Sequence, residues 1–460
     1  MSSLYTRLVS GVLFPLHERL KKHDSVARLK SLEATQYANA DELEAVRVER
    51  LKAFLCDIGT QVPYYRDLFD ESGFDPQVVD SVRALERLPL LDKAVIRAQG
   101  ERMKAADHGP ITRYNTGGSS GEPLIFYTGL GRKSHDVAAK WRATRWWGVD
   151  IGDPELVVWG SPVELGAQDR VRQIRDGLFR SELLPAFEMS RENLDRFVAT
   201  IERVRPKMLF GYPSSLSMIA AHAKAQGRAM DRLGIKVVFV TSERLYDHQK
   251  ETIEGVFGAP VANGYGARDA GFIAHACPSG NLHLSAEDII VETIGADGQP
   301  VAAGEAGEIV VTHLATRDFP FVRYRTGDVG VLGGSGCACG RTLPILADVQ
   351  GRTTDFIVAA DGTVMHGLAL IYTVRDLPGV AKFKIAQESL DHTDVFIVAD
   401  SRWEQGAEQR IVTDFKRRLG EHVTIGVSFV DEIPAEKSGK FRYVVSKVQP
   451  GMRQEVSAHA

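Results

Sequence analysis

Apolar positions recur at helical spacing through the first hundred or so residues, with charged side chains between them, most clearly over Ala40 to Gly59. Residues 1 to about 105 are therefore expected to be helical, with breaks at Pro63-Tyr64-Tyr65 and Gly73-Phe74-Asp75-Pro76. Beyond a glycine-rich turn, Asn115 to Gly121, short apolar runs alternate with helical stretches. Leu156-Val157-Val158-Trp159, Met208-Leu209-Phe210 and Val237-Val238-Phe239-Val240 read as buried strands, and Leu216 to Gly227 as one of the helices between them. Such alternation predicts an α/β arrangement around a parallel sheet.

From about residue 284 the pattern shifts to hairpins. Asp288–Thr293 and Gly307–Thr312 flank a turn with Gly295-Ala296-Asp297-Gly298, and Phe356-Ile357-Val358 precedes a second turn at Asp361-Gly362. The expected fold is α/β. A large N-terminal domain over 1–351, with mixed and parallel sheets, helices and a β-rich part, precedes a small mobile α+β domain over 352–460.

The length of 460 residues exceeds what one core ordinarily supports, in keeping with that division. Composition narrows the function classes mainly by exclusion. Lys and Arg number 56 against 60 Asp and Glu, a net charge of -4, which gives no sign of a nucleic-acid partner. No apolar run approaches the roughly 18 residues of a membrane-spanning helix. Leu8 to Leu16 is mostly apolar after Arg7, but His17-Glu18-Arg19-Leu20-Lys21-Lys22 follows where a signal peptide would be cleaved. An amphipathic first helix packed on the body is the leading reading there, and a membrane-surface helix the alternative. Four cysteines in so long a chain argue against a disulfide framework, which makes the cytoplasm the default compartment.

Four segments carry candidate chemistry. Thr116-Gly117-Gly118-Ser119-Ser120-Gly121 exposes backbone N–H groups and hydroxyls that can wrap phosphate oxygens, although a Gly/Ser turn alone is more often only a turn. Tyr265-Gly266-Ala267-Arg268-Asp269 follows a strand end and offers a flat ring and a hard oxygen. Tyr324-Arg325-Thr326-Gly327-Asp328 places an acid after a tight turn. Lys437-Ser438-Gly439-Lys440 puts a lysine on a Gly-containing loop, where it could deliver charge to a phosphate.

In this order, and followed by Gly351-Arg352 before the terminal lysine, the segments resemble the adenylate-forming superfamily over about residues 60 to 450. Asn115–Gly121 and Pro63-Tyr64-Tyr65-Arg66 are similar to its phenylacetate–CoA ligase branch, which includes capsular polysaccharide biosynthesis proteins. The resemblance implies that a carboxylic acid is activated with ATP, releasing pyrophosphate, and that coenzyme A then takes the acyl group. It implies ATP phosphates on Thr116, Gly117, Gly118, Ser119, Ser120 and Gly121, and adenine against Tyr265 and Gly266, framed by Ser242 and Glu243. It further implies Mg²⁺ near Asp269, ribose on Asp328, a phosphate or ribose contact from Arg352, and Lys440 as the lysine of adenylation. Asp269 stands where the family usually has Glu, so a metal contact through water is expected. Thr354, with Asp355 next to it, departs from the family's hinge pattern.

Two alternatives stay open: transfer to an amine, sugar or carrier-protein thiol, and a catalytically inactive nucleotide-binding relative. Trp159-Gly160-Ser161-Pro162 and Gly211-Tyr212-Pro213-Ser214 are candidate walls for an acid, whose aromatic lining would suit an aryl or short apolar substrate. A homodimer is compatible with the reading.

Cys277, His283, Cys337 and Cys339 form a separate set. Three thiolates and one imidazole suit tetrahedral Zn²⁺, and Cys-x-Cys fits a disulfide badly. Ligases of the resembled branch carry a similar pattern. His275 is the substitute if His283 turns away, no open coordination position is expected, and Cys56 is expected in the core of an N-terminal helix.

Overall fold

The computed structural model describes residues 3–115, 124–159, 170–186, 189, 191–295, 297–334, 336–352, 356–361, 364–366, 368–375, 377–433 and 444–448. The chain forms two compact units, residues 1–326 with 330–349, and residues 327–329 with 350–460.

The N-terminal hundred residues are helical as expected. Asn39 caps the Ala40–Gln61 helix by accepting from the Glu42 N–H while Glu42 reaches back to the Asn39 N–H, satisfying two donors that a helix start leaves unpaired. Pro63 does not merely interrupt. It occupies the first turn of a new helix, Pro63–Ser72, where its missing N–H costs nothing, and Gly73 ends that helix in the left-handed conformation. Cys56, expected in the core, is only half-buried.

An eleven-stranded sheet dominates. Its order runs Ile289–Ile294, Ala306–His313, Tyr324–Leu332, Ile345–Arg352, Leu282–Leu284, Gly271–Ala276, Val261–Ala267, Val237–Thr241, Met208–Gly211, Glu155–Trp159, Ser181–Pro185. The last five strands are parallel. Met208–Gly211 is buried at every position and Val237–Thr241 likewise, because helices cover both faces of a parallel sheet. On the covering helix Pro213–Ala225, Leu216, Ile219, Ala220 and Ala223 fall on one stripe and are fully buried. The hairpin-rich region is joined edge to edge to these parallel strands, and antiparallel pairing already begins at Gly271–Ala276. The expected hairpin pairs Ile289 with His313 through Ile294 with Glu308.

The second unit is α+β. Thr424–Phe429, His392–Ala399, Val380–Ser389 and Val444–Ser446 form a four-stranded sheet, accompanied by the helices Leu368–Arg375 and Ala407–Leu419. Ile385, Ile397, Ile411 and Phe415 are in its core.

The large unit's core contains charge. Arg142, on the Leu130–Trp146 helix, is 2% exposed, and Glu287 is fully buried. They form an ion pair, to which Thr35 donates a hydrogen bond at 2.9 Å and the Leu32 carbonyl adds an acceptor for Arg142 at 3.2 Å. The pair thus joins the Ser25–Thr35 helix, the Leu130–Trp146 helix and the turn before Ile289. Removing one partner strands the other in a dry interior. Glu287→Ala is expected to lower unfolding stability by about 3–5 kcal/mol, measured by urea denaturation.

Candidate active site and metal cluster

Parallel register decides what meets at the edge of the sheet. Val158 pairs with Gly211, Gly211 with Val240, and Val240 with Asn263. The chain therefore leaves these strands side by side through Trp159, Tyr212, Ser242–Glu243 and Tyr265. Ligands of open α/β sheets bind outside such carboxyl ends.

Each exit has its own constraint. Trp159 stacks on Tyr212 at 4.4 Å and on Phe210 at 6.1 Å, and Phe210 stacks on Phe239, giving an aromatic row across three strands. Tyr212 is buried and Trp159 half-buried, so Trp159 is the more accessible member of the row. Ser242 holds φ at 71°, a left-handed conformation that costs a non-glycine residue about 1 kcal/mol or more and that clusters at functional sites. The Glu243 carboxylate accepts from the Ser214 N–H at 3.2 Å, placing a negative charge on the N-terminus of the Pro213–Ala225 helix.

Tyr265 and Gly266 lie at a register shift where Val261–Ala267 turns back into the antiparallel Gly271–Ala276 strand. A Cβ on Gly266 would stand 2.3 Å from the Gly271 carbonyl oxygen, so only glycine fits between these backbones. The turn carries Asp269, 8% exposed, whose carboxylate accepts a 2.6 Å hydrogen bond from the Tyr324 hydroxyl. Arg132 donates to the Asp269 carbonyl at 3.4 Å and the Arg268 carbonyl at 3.3 Å, while pairing with Asp136 at 2.9 Å. Burial opposes the charge of Asp136, but Arg132 and His135 outweigh it and hold the carboxyl below its ordinary range. Beneath this turn, burial pushes His313 well below the usual imidazole range, with the Arg132 charge acting the same way.

The other predicted residues are placed as follows. Asp328 is half-buried in the Tyr324–Leu332 strand. Arg352 ends the Ile345–Arg352 strand, with its side chain outside the described residues. Thr116, Gly117, Gly118, Ser119, Ser120 and Gly121 also lie outside them, as do Gly160–Pro162, Thr354, Asp355 and Lys440. The strands on either side of the Gly/Ser segment, Thr112–Asn115 and Ile125–Thr128, form a hairpin closed by the Asn115–Ile125 pair. Val444–Ser446, following Lys440, pairs in parallel with Ile385–Gln387.

Sequence reasoning missed Arg132, Asp136 and the Tyr324 hydroxyl as supports of the Asp269 turn. The available signal was the spacing of Arg132, His135, Asp136 and Arg142 along one helix, a polar stripe where an apolar one is expected.

The four predicted thiol and imidazole ligands come together, with their donor atoms all within 4.8 Å of one another. Cys277 Sγ lies 3.6 Å from Cys337 Sγ, and Cys339 Sγ 3.3 Å from His283 Nε2. All four cysteines are free, and 3.6 Å is far beyond a bonded sulfur pair. A tetrahedral zinc separates its sulfur and nitrogen ligands by about 3.5–3.8 Å, so these two donor pairs match it to within a few tenths of an ångström. His283 Nδ1 meets the Leu343 carbonyl at 2.9 Å, the second contact that fixes the tautomer of a ligating histidine. His275, paired in register with His283, instead packs against Phe272 and Phe239; burial lowers its pKa to about 3. Burial raises the Cys277 thiol to about 11. At Cys337 burial acts the same way, but hydrogen bonds from Asn281 and the Cys339 N–H prevail and bring it to about 6.

Comparison with known proteins adds relatives to this geometry. Residues 183–315 match the family described as AMP-binding enzyme, and residues 357–447 that described as CapK C-terminal domain. The chain is 21% identical over 454 residues to Protein CapK of Staphylococcus aureus, covering 96% of each chain. It is 24% identical over 338 residues to the phenylacetate-coenzyme A ligase of Thermus thermophilus, covering 69% of this chain and 72% of the other. Its fold is similar to that of 2-hydroxyisobutyryl-CoA ligase in the postadenylation state, with TM-score 0.72, 19% identity, and coverage of 89% and 91%.

Proposed function

Because the chain belongs to the adenylate-forming superfamily, on the branch shared by CapK and the phenylacetate-coenzyme A ligases, we propose that it joins a carboxylic acid to the α-phosphate of ATP and passes the acyl group to coenzyme A. The observation that carries this reading is the single sheet edge that gathers Trp159, Tyr212, Ser242, Glu243 and Tyr265.

The chemistry explains why such a site is needed. A carboxylate is a poor acyl donor because its leaving group would be oxide. Attack on the α-phosphorus releases pyrophosphate and creates an acyl adenylate, whose leaving group is AMP. The attack joins two anions, so charge must be met where it develops. On this reading Thr116–Gly121 hold the phosphates, Tyr265 covers adenine beside Gly266, Ser242 and Glu243 frame it, and Asp328 takes the ribose hydroxyls. Arg352 and Lys440 meet phosphate charge.

Mg²⁺ would be held by Asp269 together with the nucleotide phosphates, the usual provision for this ion, and would neutralise phosphate charge. Tyr324 occupies one side of that carboxylate, in keeping with a contact through water. The aromatic row ending at Trp159 suits an aryl or short apolar acid. The part of the chain over 352–460 would be the mobile domain that delivers and withdraws Lys440.

A second reading rests on the C-terminal match to the CapK domain and on near full-length similarity to CapK. The acyl acceptor would then be an amine, a sugar or a carrier-protein thiol. Acid-dependent consumption of coenzyme A thiol decides between the two. Pyrophosphate exchange with a panel of acids should appear for at least one acid, with AMP as the nucleotide product. Lys440→Ala should lower exchange by roughly 10²–10³ while sparing acyl transfer from a supplied acyl adenylate; loss of both steps would contradict its role.

We further propose a structural zinc on Cys277, His283, Cys337 and Cys339, with no open coordination position and no part in the chemistry. Metal analysis should find about one zinc per chain, and chelation should lower the melting temperature; less than about 0.3 zinc per chain would refute the site.

A further inference from the structure

The first helix has two faces with opposite fates. Leu4–Leu8, Val9–Leu13 and Phe14–Leu20 run on as one helical rod, about 25 Å long at the usual helical rise. One face is anchored. Val9 and Phe14 are buried, Phe14 packs edge-on against Trp141 at 4.7 Å, and Thr6 donates to Asp153 at 2.9 Å. The other face presents Leu4, Leu8, Val12, Leu16 and Leu20 to solvent, from 47% to 86% exposed.

A four-residue repeat would normally spiral around an α-helix, because four steps overshoot a turn of 3.6 residues. The middle of this rod is a π-helix, in which the Phe14 N–H reaches back to the Val9 carbonyl. That wider turn absorbs an extra residue and offsets the drift, so the five side chains keep to one side. Pro15, which has no N–H to donate, accounts for the wide turn at this place.

The stripe has a neighbour. On the Arg170–Phe179 helix, Ile174 is 65% and Leu178 48% exposed. Phe179 meets Phe14 at 5.7 Å, and the Tyr5 hydroxyl donates to the Leu178 carbonyl at 2.9 Å, so this helix lies against the rod. Seven of the eleven large apolar side chains exposed among the described residues thus belong to these two helices.

Over residues 3–23 the exposed charge has one sign, and the nearby acids Asp24 and Asp176 are paired with Arg28 and Arg175. Arg7, Arg19, Lys21 and Lys22 are exposed. The one acid between Ser3 and His23 is Glu18, 3% exposed and held by His17, His23 and Ser25. An exposed apolar stripe flanked by cations matches an anionic lipid surface, into which the leucines sink while lysines and arginines meet phosphates. A second copy of the chain suits it less well, since a twofold contact would bring the same cations together.

We propose that this face is a membrane-surface anchor, lying flat on bilayers rich in anionic phospholipid without crossing them. Among the described residues no helix is long and apolar enough to span a membrane. Anchoring through this face is independent of the acid-activating role above.

Sedimentation of the full chain with vesicles tests it. Binding should be at least roughly tenfold stronger to phosphatidylcholine containing about one-third phosphatidylglycerol than to phosphatidylcholine alone, and should weaken with salt. The double variant Val12→Glu, Leu16→Glu should lose at least about tenfold in binding. Because both side chains are more than half exposed, its melting temperature should be unchanged. Absence of wild-type binding to the anionic vesicles, or equal binding by the variant, would overturn the proposal. So would a dimer seen by analytical ultracentrifugation that the variant dissolves while vesicles bind neither protein, an outcome that would assign the face to a second copy.

Discussion

The close passage of two backbones at Gly266 is the constraint on which the candidate site depends. Val261–Ala267 pairs in parallel with Val237–Thr241 on one side and antiparallel with Gly271–Ala276 on the other. It is the strand at which a helix-covered parallel sheet becomes a run of hairpins. The reversal is tight because Gly266 has no side chain to strike the Gly271 carbonyl. Tyr265 consequently stands one residue beyond the Thr241–Gly264 pair, and Asp269 lies in the turn that follows.

Support for that turn comes from buried charge. Tyr324 holds the Asp269 carboxylate, Arg132 holds two carbonyls of the turn, and Arg132 is itself neutralised by Asp136. Deeper in the same unit the Arg142–Glu287 pair joins three segments distant in sequence. Burying charge is costly, and such pairs add less to stability than their number suggests. Their geometric effect is clearer: each fixes a distance between backbones that apolar packing alone would leave adjustable. The zinc-compatible cluster ties the Gly271–Ala276 and Leu282–Leu284 strands to the 337–339 turn, away from the strand exits.

Much of this was legible in the sequence, for identifiable reasons. Val237–Val240 and Met208–Phe210 announce themselves because a strand buried on both faces must be apolar throughout. Ser242 and Glu243 could be located because they follow a strand end, and Tyr265 because it lies just past the last parallel pair of its own strand, Thr241–Gly264. The cysteines and His283 were legible because few residue types bind zinc. The polar stripe Arg132, His135, Asp136 and Arg142 was not, since charged residues on a helix ordinarily face water and nothing local says that Glu287 waits 145 residues away. Pro63 was read as a break because a proline that opens a helix and one that ends it look alike until the next turn is seen. The exposure of Leu4 through Leu20 was equally hidden: helical periodicity tells which residues share a face, and only packing tells which face is covered.

The sheet edge, the aromatic row and the acid in the turn acquire one purpose if a carboxylate attacks the α-phosphorus of ATP. Transfer of the acid's own oxygen tests that directly. With an accepted acid labelled with ¹⁸O in its carboxylate, complete turnover to the thioester or other acyl product should leave one labelled oxygen in AMP and none in pyrophosphate. Label appearing in orthophosphate beside ADP would show attack at the γ-phosphorus and contradict the account.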